Sequence, residues 1–273
     1  MPYYLTTRHF WLLKLCQAPT KDVVLVGNSR VYLGLSPLHM AKTCGNPSIF
    51  NFGFVACSLN RRYLEHAASL LDPNSPNPTL VLGLCPHLLF KPGGNNGYNF
   101  WASQELPERR NLLRQIWRDN FSGKAFIKTN ARNLLNLSRG LPLNLYYADG
   151  WEASLPVRKP SDRYIRVGAR LAQNKQVNPR MVDELLEVTS EFHQRGITVL
   201  AYRPPSAAHL CELEENSSGL DFEDFVQRFQ QAGGRWLHID PRGYQTYDGA
   251  HMDFRNAARL SQEIGKVLSR YYR

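Results

Sequence analysis

The chain has 273 residues, of which 43% are hydrophobic, and this size and composition predict a folded α/β globule and exclude a disordered chain. Its formal net charge of +10 predicts attraction to acidic polymers, anionic lipid headgroups or nucleic acid, although a generic basic surface explains the same excess. Five cysteines without a Cys-x-x-Cys pair argue against a disulfide framework and a structural zinc site, and no segment is long and apolar enough to cross a bilayer.

Apolar runs alternate with amphipathic stretches along the chain, a pattern typical of a parallel sheet covered by helices. Residues 10–16 are apolar but short and interrupted by Lys14, which makes them a poor signal peptide. We therefore expect the chain as given to be soluble; a cytoplasmic location and an extracytoplasmic one with an upstream anchor both fit. The predicted buried strands are 22–26, 48–52, 79–84, 197–202 and 236–239, and the predicted helices are 37–43, 59–71, 178–195, 222–231 and 254–271.

This alternation is interrupted between residues 91 and 170. A turn-rich loop at 91–97 precedes two basic helices, predicted at 106–120 and 123–138, and then a stretch at 141–166 that we expect to be irregular. We interpret 91–170 as an insertion that shapes the cleft of a single domain spanning 1–273, although a surface elaboration also fits. The predicted fold is a flavodoxin-like three-layer α/β/α sandwich with a central, mostly parallel five-stranded sheet.

A serine follows the first predicted strand, in the sequence Gly27-Asn28-Ser29-Arg30. A serine on a tight strand-to-helix turn is exposed at the carboxyl edge of the sheet, close to backbone N–H groups that can hold an oxyanion. Gly27 permits the close turn, and Ser29 carries its only hydroxyl. The same residues could equally form an anion-binding turn or a plain connection.

An aspartate and a histidine lie three residues apart near the other end of the chain, in Asp248-Gly249-Ala250-His251. This spacing lets the carboxylate and the imidazole meet on one turn, where the carboxylate can fix the imidazole tautomer. The helix predicted after them would fix the position of His251. The alternative is that Asp248 only caps a helix and His251 is a surface residue.

These motifs together resemble the SGNH/GDSL hydrolase superfamily. Residues 27–30 are similar to its nucleophile block, with Asn28 where aspartate is usual, and are nearest to the Gly-x-Ser-Arg form of the DltD-like and alginate O-acetylation-like bacterial branches. Residues 248–251 resemble its terminal Asp-x-x-His block, and residues 51–56 resemble its second block. The resemblance covers the core, residues 20–90 and 195–273, and does not cover the segment between them.

The resemblance implies that Ser29 is the nucleophile, His251 the base and Asp248 the residue that orients it. It also implies an oxyanion hole formed by the serine N–H, a second-block N–H from Gly53 or Ala56, and an asparagine side chain of the third block. This chain has alanine at position 56 where glycine is usual.

The third block differs more, because Cys85 stands where the family has asparagine, and a thiol is a poor donor. Losing one donor typically lowers the rate about a hundred- to a thousandfold. Either Asn51, Arg30 or His87 substitutes, or the activity is slow or absent.

Two further residues are candidates for substrate binding. His87 follows the third predicted strand at the same sheet edge as Ser29, and with Cys85 it lacks the second pair that a metal site needs. Arg203 follows the fourth strand and could bind a substrate anion, with a surface ion pair as the alternative. We predict no metal and no cofactor.

The leading hypothesis is a serine-dependent esterase or O-acyltransferase acting on a carbohydrate, cell-envelope or lipid-linked acyl group. Trp101, Trp117 and Trp151 would stack on sugar rings while arginines pair with acidic groups, and an anionic surface is a further partner. The second hypothesis is a catalytically weak or inactive SGNH-like binding or assembly protein for an anionic polymer. A nucleic-acid partner is disfavoured, because the sequence contains no RNA- or DNA-binding motif.

Overall fold

The computed structural model describes residues 6–90, 97–120, 127, 131, 134–135, 137–139, 142–155 and 176–272. The described strands are β1 (Val23–Val26), β2 (Ile49–Asn51), β3 (Thr79–Gly83), β4 (Leu143–Tyr146), β5 (Glu152–Leu155), β6 (Thr198–Tyr202) and β7 (Arg235–Leu237). The described helices longer than one 3₁₀ turn are α1 (Thr7–Leu15), α2 (Ser29–Tyr32), α3 (Pro37–Ala41), α4 (Arg61–Ala68), α5 (Gly97–Ala102), α6 (Arg109–Asn120), α7 (Pro179–Gln194), α8 (Ala208–Ser218), α9 (Phe222–Gln231) and α10 (Phe254–Leu268).

A five-stranded, all-parallel sheet in the order β2-β1-β3-β6-β7 forms the centre of the fold. In register, Leu25 of β1 pairs with Asn51 on one side and with Val81 on the other. The chain turns to one side of β1 for β2 and to the other side for β3, so the strand order reverses beside β1. In open α/β sheets the crevice at this reversal, at the carboxyl ends of the strands, is where ligands bind.

Helices cover both faces of this sheet. Alternate strand residues point to opposite faces, so Val24, Leu80 and Val199 pack in a core with α4, α7 and α9, while Val23 and Val81 pack in a second core with α3 and α10. Burial on both faces explains why the strands read as continuous apolar runs in the sequence. The predicted three-layer α/β/α sandwich is confirmed.

All five predicted core strands are present, with ends that differ from the prediction by at most two residues. The five predicted core helices are also present. The helix predicted at 178–195 is α7, in which Asn178 caps the first turn and Pro179 occupies it. The helix predicted at 254–271 is α10, which Asp253 caps and which ends at Leu268.

The stretch at 141–166 was predicted to be irregular, and for its described part this is wrong. β4 and β5 form an antiparallel hairpin whose turn docks on the edge of the central sheet, where the Asn51 N–H donates to the Asp149 carbonyl over 2.8 Å. The Trp151 indole Nε1 donates to the Leu33 carbonyl over 3.0 Å. These contacts are far apart in sequence, so local composition gave no sign of them.

Within residues 91–140, α6 corresponds to the helix predicted at 106–120 and begins three residues later, at Arg109. The loop predicted at 91–97 lies outside the described residues except for Gly97, as does most of the helix predicted at 123–138. The proposed insertion boundaries therefore stay a prediction.

The apolar segment near the amino terminus forms α1, which the sequence reasoning did not predict as a helix. Its residues from His9 to Leu15 are all buried, and α1 packs against α5 and α6. No helix among the described ranges combines the length and the apolar character needed to span a membrane.

Candidate active site

The serine turn connects the carboxyl end of β1 to the first turn of α2. Gly27 is required there by close packing: a Cβ atom at this position would lie 2.5 Å from Val31 Cγ2 and 3.0 Å from the Gly83 carbonyl oxygen. Asn28 caps α2, its Oδ1 accepting the Arg30 N–H over 3.0 Å. Ser29 is the first residue of α2 and is half-buried, so its hydroxyl faces the sheet edge from a rigid element.

Ser29 and His251 are 222 positions apart in sequence, and the Ser29 Oγ lies 2.7 Å from His251 Nε2. On the other side of the ring, His251 Nδ1 lies 2.6 Å from Asp248 Oδ2. The predicted proximity of the serine and the histidine is confirmed. With Nδ1–H donating to the carboxylate, Nε2 is left to accept the serine proton.

Asp248 is held by its own turn. Its Oδ1 accepts the N–H groups of Ala250 and His251 over 3.0 and 2.8 Å. Burial alone would raise the pKa of Asp248, but the hydrogen bonds with the His251 ring and these amides lower it below its usual value. The carboxylate is therefore ionised at neutral pH and fixed where it can orient the imidazole.

Asn51 and Gly53, both predicted to line the oxyanion hole, form internal hydrogen bonds. The fully buried Asn51 amide donates to the carbonyls of Val31 and Leu35 over 2.9 and 2.8 Å. Its Oδ1 accepts the Gly53 N–H over 3.0 Å. The Asn51 side chain thus ties the end of β2 to α2 and the residues after it, and both the Asn51 amide and the Gly53 N–H already have acceptors within the fold.

Contacts from the segment after β2 and from α4 brace the serine turn. The Phe54 N–H donates to the Gly27 carbonyl over 3.0 Å. The buried Tyr63 hydroxyl oxygen accepts the Gly27 N–H over 3.3 Å and lies 2.7 Å from the Phe52 carbonyl. Ala56 is exposed and has a positive φ of 45°, a backbone conformation that glycine adopts with less strain than alanine.

Lys14 was noted in the sequence only as an interruption, yet its side chain is fully buried. Its Nζ donates to the Gly53 carbonyl over 2.6 Å. Four aromatic rings surround the ammonium at 4.7–5.6 Å from their centroids, those of Phe10, Trp11, Tyr32 and Phe54. Burial lowers the pKa of Lys14 well below its usual value, although the nearby Glu152 carboxylate opposes this shift.

Cys85 is buried beside the serine turn, and its Sγ accepts the Asn28 amide over 3.4 Å. Burial raises the pKa of this thiol, so it is neither a thiolate nucleophile nor a strong donor. In this structure Cys85 therefore orients the Asn28 side chain.

The predicted binding residues Arg30, His87 and Arg203 converge on one carboxylate, that of Glu214 in α8. Arg30 forms a two-pronged ion pair with it, with Nη2–Oε1 at 2.5 Å and Nη1–Oε2 at 3.3 Å. His87 Nδ1 lies 3.3 Å from the carboxylate and Arg203 Nη2 lies 3.8 Å from it. Arg203 also pairs with Glu215.

Glu214 itself was missed in the sequence, because residues 208–218 carried no helix prediction and nothing local marks one glutamate among several. Its side chain is 1% exposed. Burial would raise its pKa, but the hydrogen bond with His87 and the charge of Arg30 lower the pKa to about 2. The positive charge of Arg30 is therefore balanced by the Glu214 carboxylate inside the fold. His87 and Arg203 keep about a quarter of their side-chain surface exposed (25% and 22%).

The three tryptophans predicted to stack on sugar rings have different surroundings. Trp151 is 2% exposed and packs in the core, so its predicted stacking role is wrong. Trp101 is half-buried, and Trp117 is 66% exposed on α6.

Within the ranges that the structure describes, no three histidine, cysteine or acidic side chains are grouped so that they could hold a metal ion. Comparison of the chain with protein-family models gives no match, and comparison with curated proteins gives no similar sequence.

Proposed function

We propose that this protein is a serine-dependent esterase or O-acyltransferase of the SGNH type that acts on a carbohydrate, cell-envelope or lipid-linked acyl group. One observation carries the proposal: the Ser29 hydroxyl, the His251 ring and the Asp248 carboxylate form a continuous hydrogen-bonded chain of 2.7 and 2.6 Å. This arrangement activates a serine for attack on an acyl carbon.

The reaction would proceed in two steps. His251 Nε2 takes the Ser29 proton as Oγ bonds to the acyl carbonyl carbon, and the imidazolium then returns a proton to the departing alkoxide, leaving an acyl-serine. In the second step His251 takes a proton from water or a sugar hydroxyl, whose oxygen bonds to the acyl carbon. The bond between that carbon and Ser29 Oγ then breaks, and the imidazolium returns the proton to Oγ. Hydrolysis and transfer differ only in this acceptor.

The Ser29 N–H is the donor that we assign to the oxyanion, because an N–H in the first turn of a helix has no intrahelical acceptor. Among the neighbouring amides, the Arg30 N–H is taken by Asn28. With Cys85 in place of the family's asparagine, we expect a hole with fewer donors and a correspondingly modest rate.

The test is hydrolysis of p-nitrophenyl acetate by wild type and by Ser29→Ala, with Ser269→Ala as the matched control. Ser269 lies at the carboxyl end of α10, where its hydroxyl donates to the Lys266 carbonyl. We expect Ser29→Ala to lower kcat about a thousandfold or more and Ser269→Ala to leave it unchanged. Equal activity of wild type and Ser29→Ala would refute the proposal.

Cys85 favours a second candidate function, a binding or assembly protein that keeps the fold without turnover. In that case wild type would show no hydrolysis above the buffer rate, and an anionic polysaccharide would bind wild type and Ser29→Ala with equal affinity.

A further inference from the structure

Helix α6 has two contrasting faces. On the inner face Leu112 and Ile116 are buried, and Asp119 lies 3.5 Å from His9 of α1. On the outer face Leu113 and Trp117 are 42% and 66% exposed. Helical spacing places Arg110 and Arg114 on the same side as these two apolar residues. We call Arg110, Leu113, Arg114 and Trp117 the outer face of α6.

The charges of α6 are divided in the same way. Glu108, just before the helix, accepts a hydrogen bond from Asn111, and Asp119 points toward α1. The outer face thus combines exposed apolar side chains with arginines and carries no acidic side chain. Further exposed apolar side chains lie nearby in sequence: Phe100, Leu106, Ile127, Leu134 and Leu135.

We propose that the outer face of α6 docks the protein on an anionic lipid surface. A helix with Leu and Trp on its exposed face and arginines beside them is typical of segments that lie in the membrane interface, where the apolar groups enter the headgroup boundary and the cations meet anionic lipid. Leu113 and Trp117 are one helical turn apart on the same face, and contiguous exposed apolar surface of this kind marks interaction sites.

A second copy of the chain fits this face less well. A two-fold contact through the outer face would bring Arg110 and Arg114 of both copies together, which like-charge repulsion disfavours. The net charge of +10 adds to this repulsion and to the attraction for an anionic surface.

The experiment is flotation of the full chain with phosphatidylcholine vesicles that contain or lack phosphatidylglycerol. We expect binding to the anionic vesicles, little binding to the neutral ones, and release by salt. Arg110→Glu/Arg114→Glu should weaken partitioning at least about 25-fold, because each basic residue near an anionic surface contributes about fivefold. Leu113→Gln/Trp117→Gln should also weaken it, since the apolar anchor is lost.

The matched control is Arg180→Glu/Arg270→Glu, which changes the net charge equally at exposed positions on α7 and beyond α10. The proposal requires this variant to bind anionic vesicles much more tightly than Arg110→Glu/Arg114→Glu does. Both arginine double variants should hydrolyse soluble p-nitrophenyl acetate like wild type, so that a failure of docking and a failure of catalysis are distinguishable. If Arg110→Glu/Arg114→Glu and Arg180→Glu/Arg270→Glu lose vesicle binding equally, net charge alone explains the loss and the proposal is overturned. Dimers abolished by Leu113→Gln/Trp117→Gln, without vesicle binding, would also overturn it and identify a self-interface.

Discussion

The two sides of the candidate site are built differently. On the side of the base, the Asp248 carboxylate accepts N–H groups two and three residues onward, so one short turn positions both the carboxylate and His251. On the oxyanion side, Gly53 is held by Lys14, which is 39 positions away, and Asn28 is held by Cys85, which is 57 positions away. Local geometry therefore fixes the groups that we propose transfer the proton, whereas tertiary packing fixes the shape of the proposed oxyanion side.

The largest effect that this comparison predicts is a loss of kcat when Asp248, which orients the proposed base His251, is changed. Asp248→Asn should lower kcat about ten-thousandfold with little change in KM, because an amide favours the wrong imidazole tautomer. Steady-state hydrolysis of p-nitrophenyl acetate measures it, with Asp253→Asn, which changes only the α10 cap, as the control. A loss below about tenfold would show that His251 does not depend on this carboxylate.

The next largest expected effect is a loss of stability when Glu214 of α8 is changed. Glu214→Gln leaves Arg30 buried without its charged partner, so the free energy of unfolding should fall by about 3 to 5 kcal/mol. The pKa of Glu214 is lowered from 4.5 to about 2, so its stabilisation is complete above pH 4.5 and is lost as the pH falls toward 2. Denaturant unfolding between these pH values should show this loss in wild type and a flatter profile in Glu214→Gln. If the free energies of unfolding of wild type and Glu214→Gln change in parallel with pH, Glu214 is not the group that causes the loss.

A smaller effect is expected at Lys14. Lys14→Met fills the aromatic cage without the ammonium, so the Gly53 carbonyl loses its donor while the cost of burying a charge disappears. We expect kcat to fall about tenfold with a change of less than about 2 kcal/mol in the free energy of unfolding. Steady-state kinetics measures the change in kcat, and denaturant unfolding measures the change in stability. A large loss of stability with unchanged kcat would make Lys14 a structural residue only.

The smallest expected effect is a rise in kcat. Cys85→Asn supplies the side-chain donor that the resembled family has at this position and should raise kcat by up to about tenfold. Cys85→Ala is the control, because it removes the thiol and adds no donor. If both variants change kcat alike, the third-block position takes no part in holding the oxyanion.

The same division between local and long-range determinants explains what the sequence could reveal. The continuous apolar runs predicted the five parallel strands, and the glycine-serine and Asp-x-x-His spacings predicted the residues that meet at the sheet edge. Lys14 and Trp151 were misjudged for one physical reason. A lysine and a tryptophan are common at surfaces, and only packing from distant elements buries them here.

Glu214 illustrates the remaining gap. Its role depends on Arg30, 184 positions away, and on His87, 127 positions away, so no spacing in the sequence marks it. The hairpin at 143–155 was missed likewise, because its turn is fixed by contacts to β2 and to Leu33.

The most direct measurement is the site of reaction with a fluorophosphonate. Wild-type protein should gain one phosphonyl group, and mass spectrometry of its peptides should locate that group on Ser29, with His251→Ala reacting far more slowly. A wild-type protein that stays unmodified at reagent concentrations that label known serine hydrolases, or an adduct on a different residue, would contradict the account.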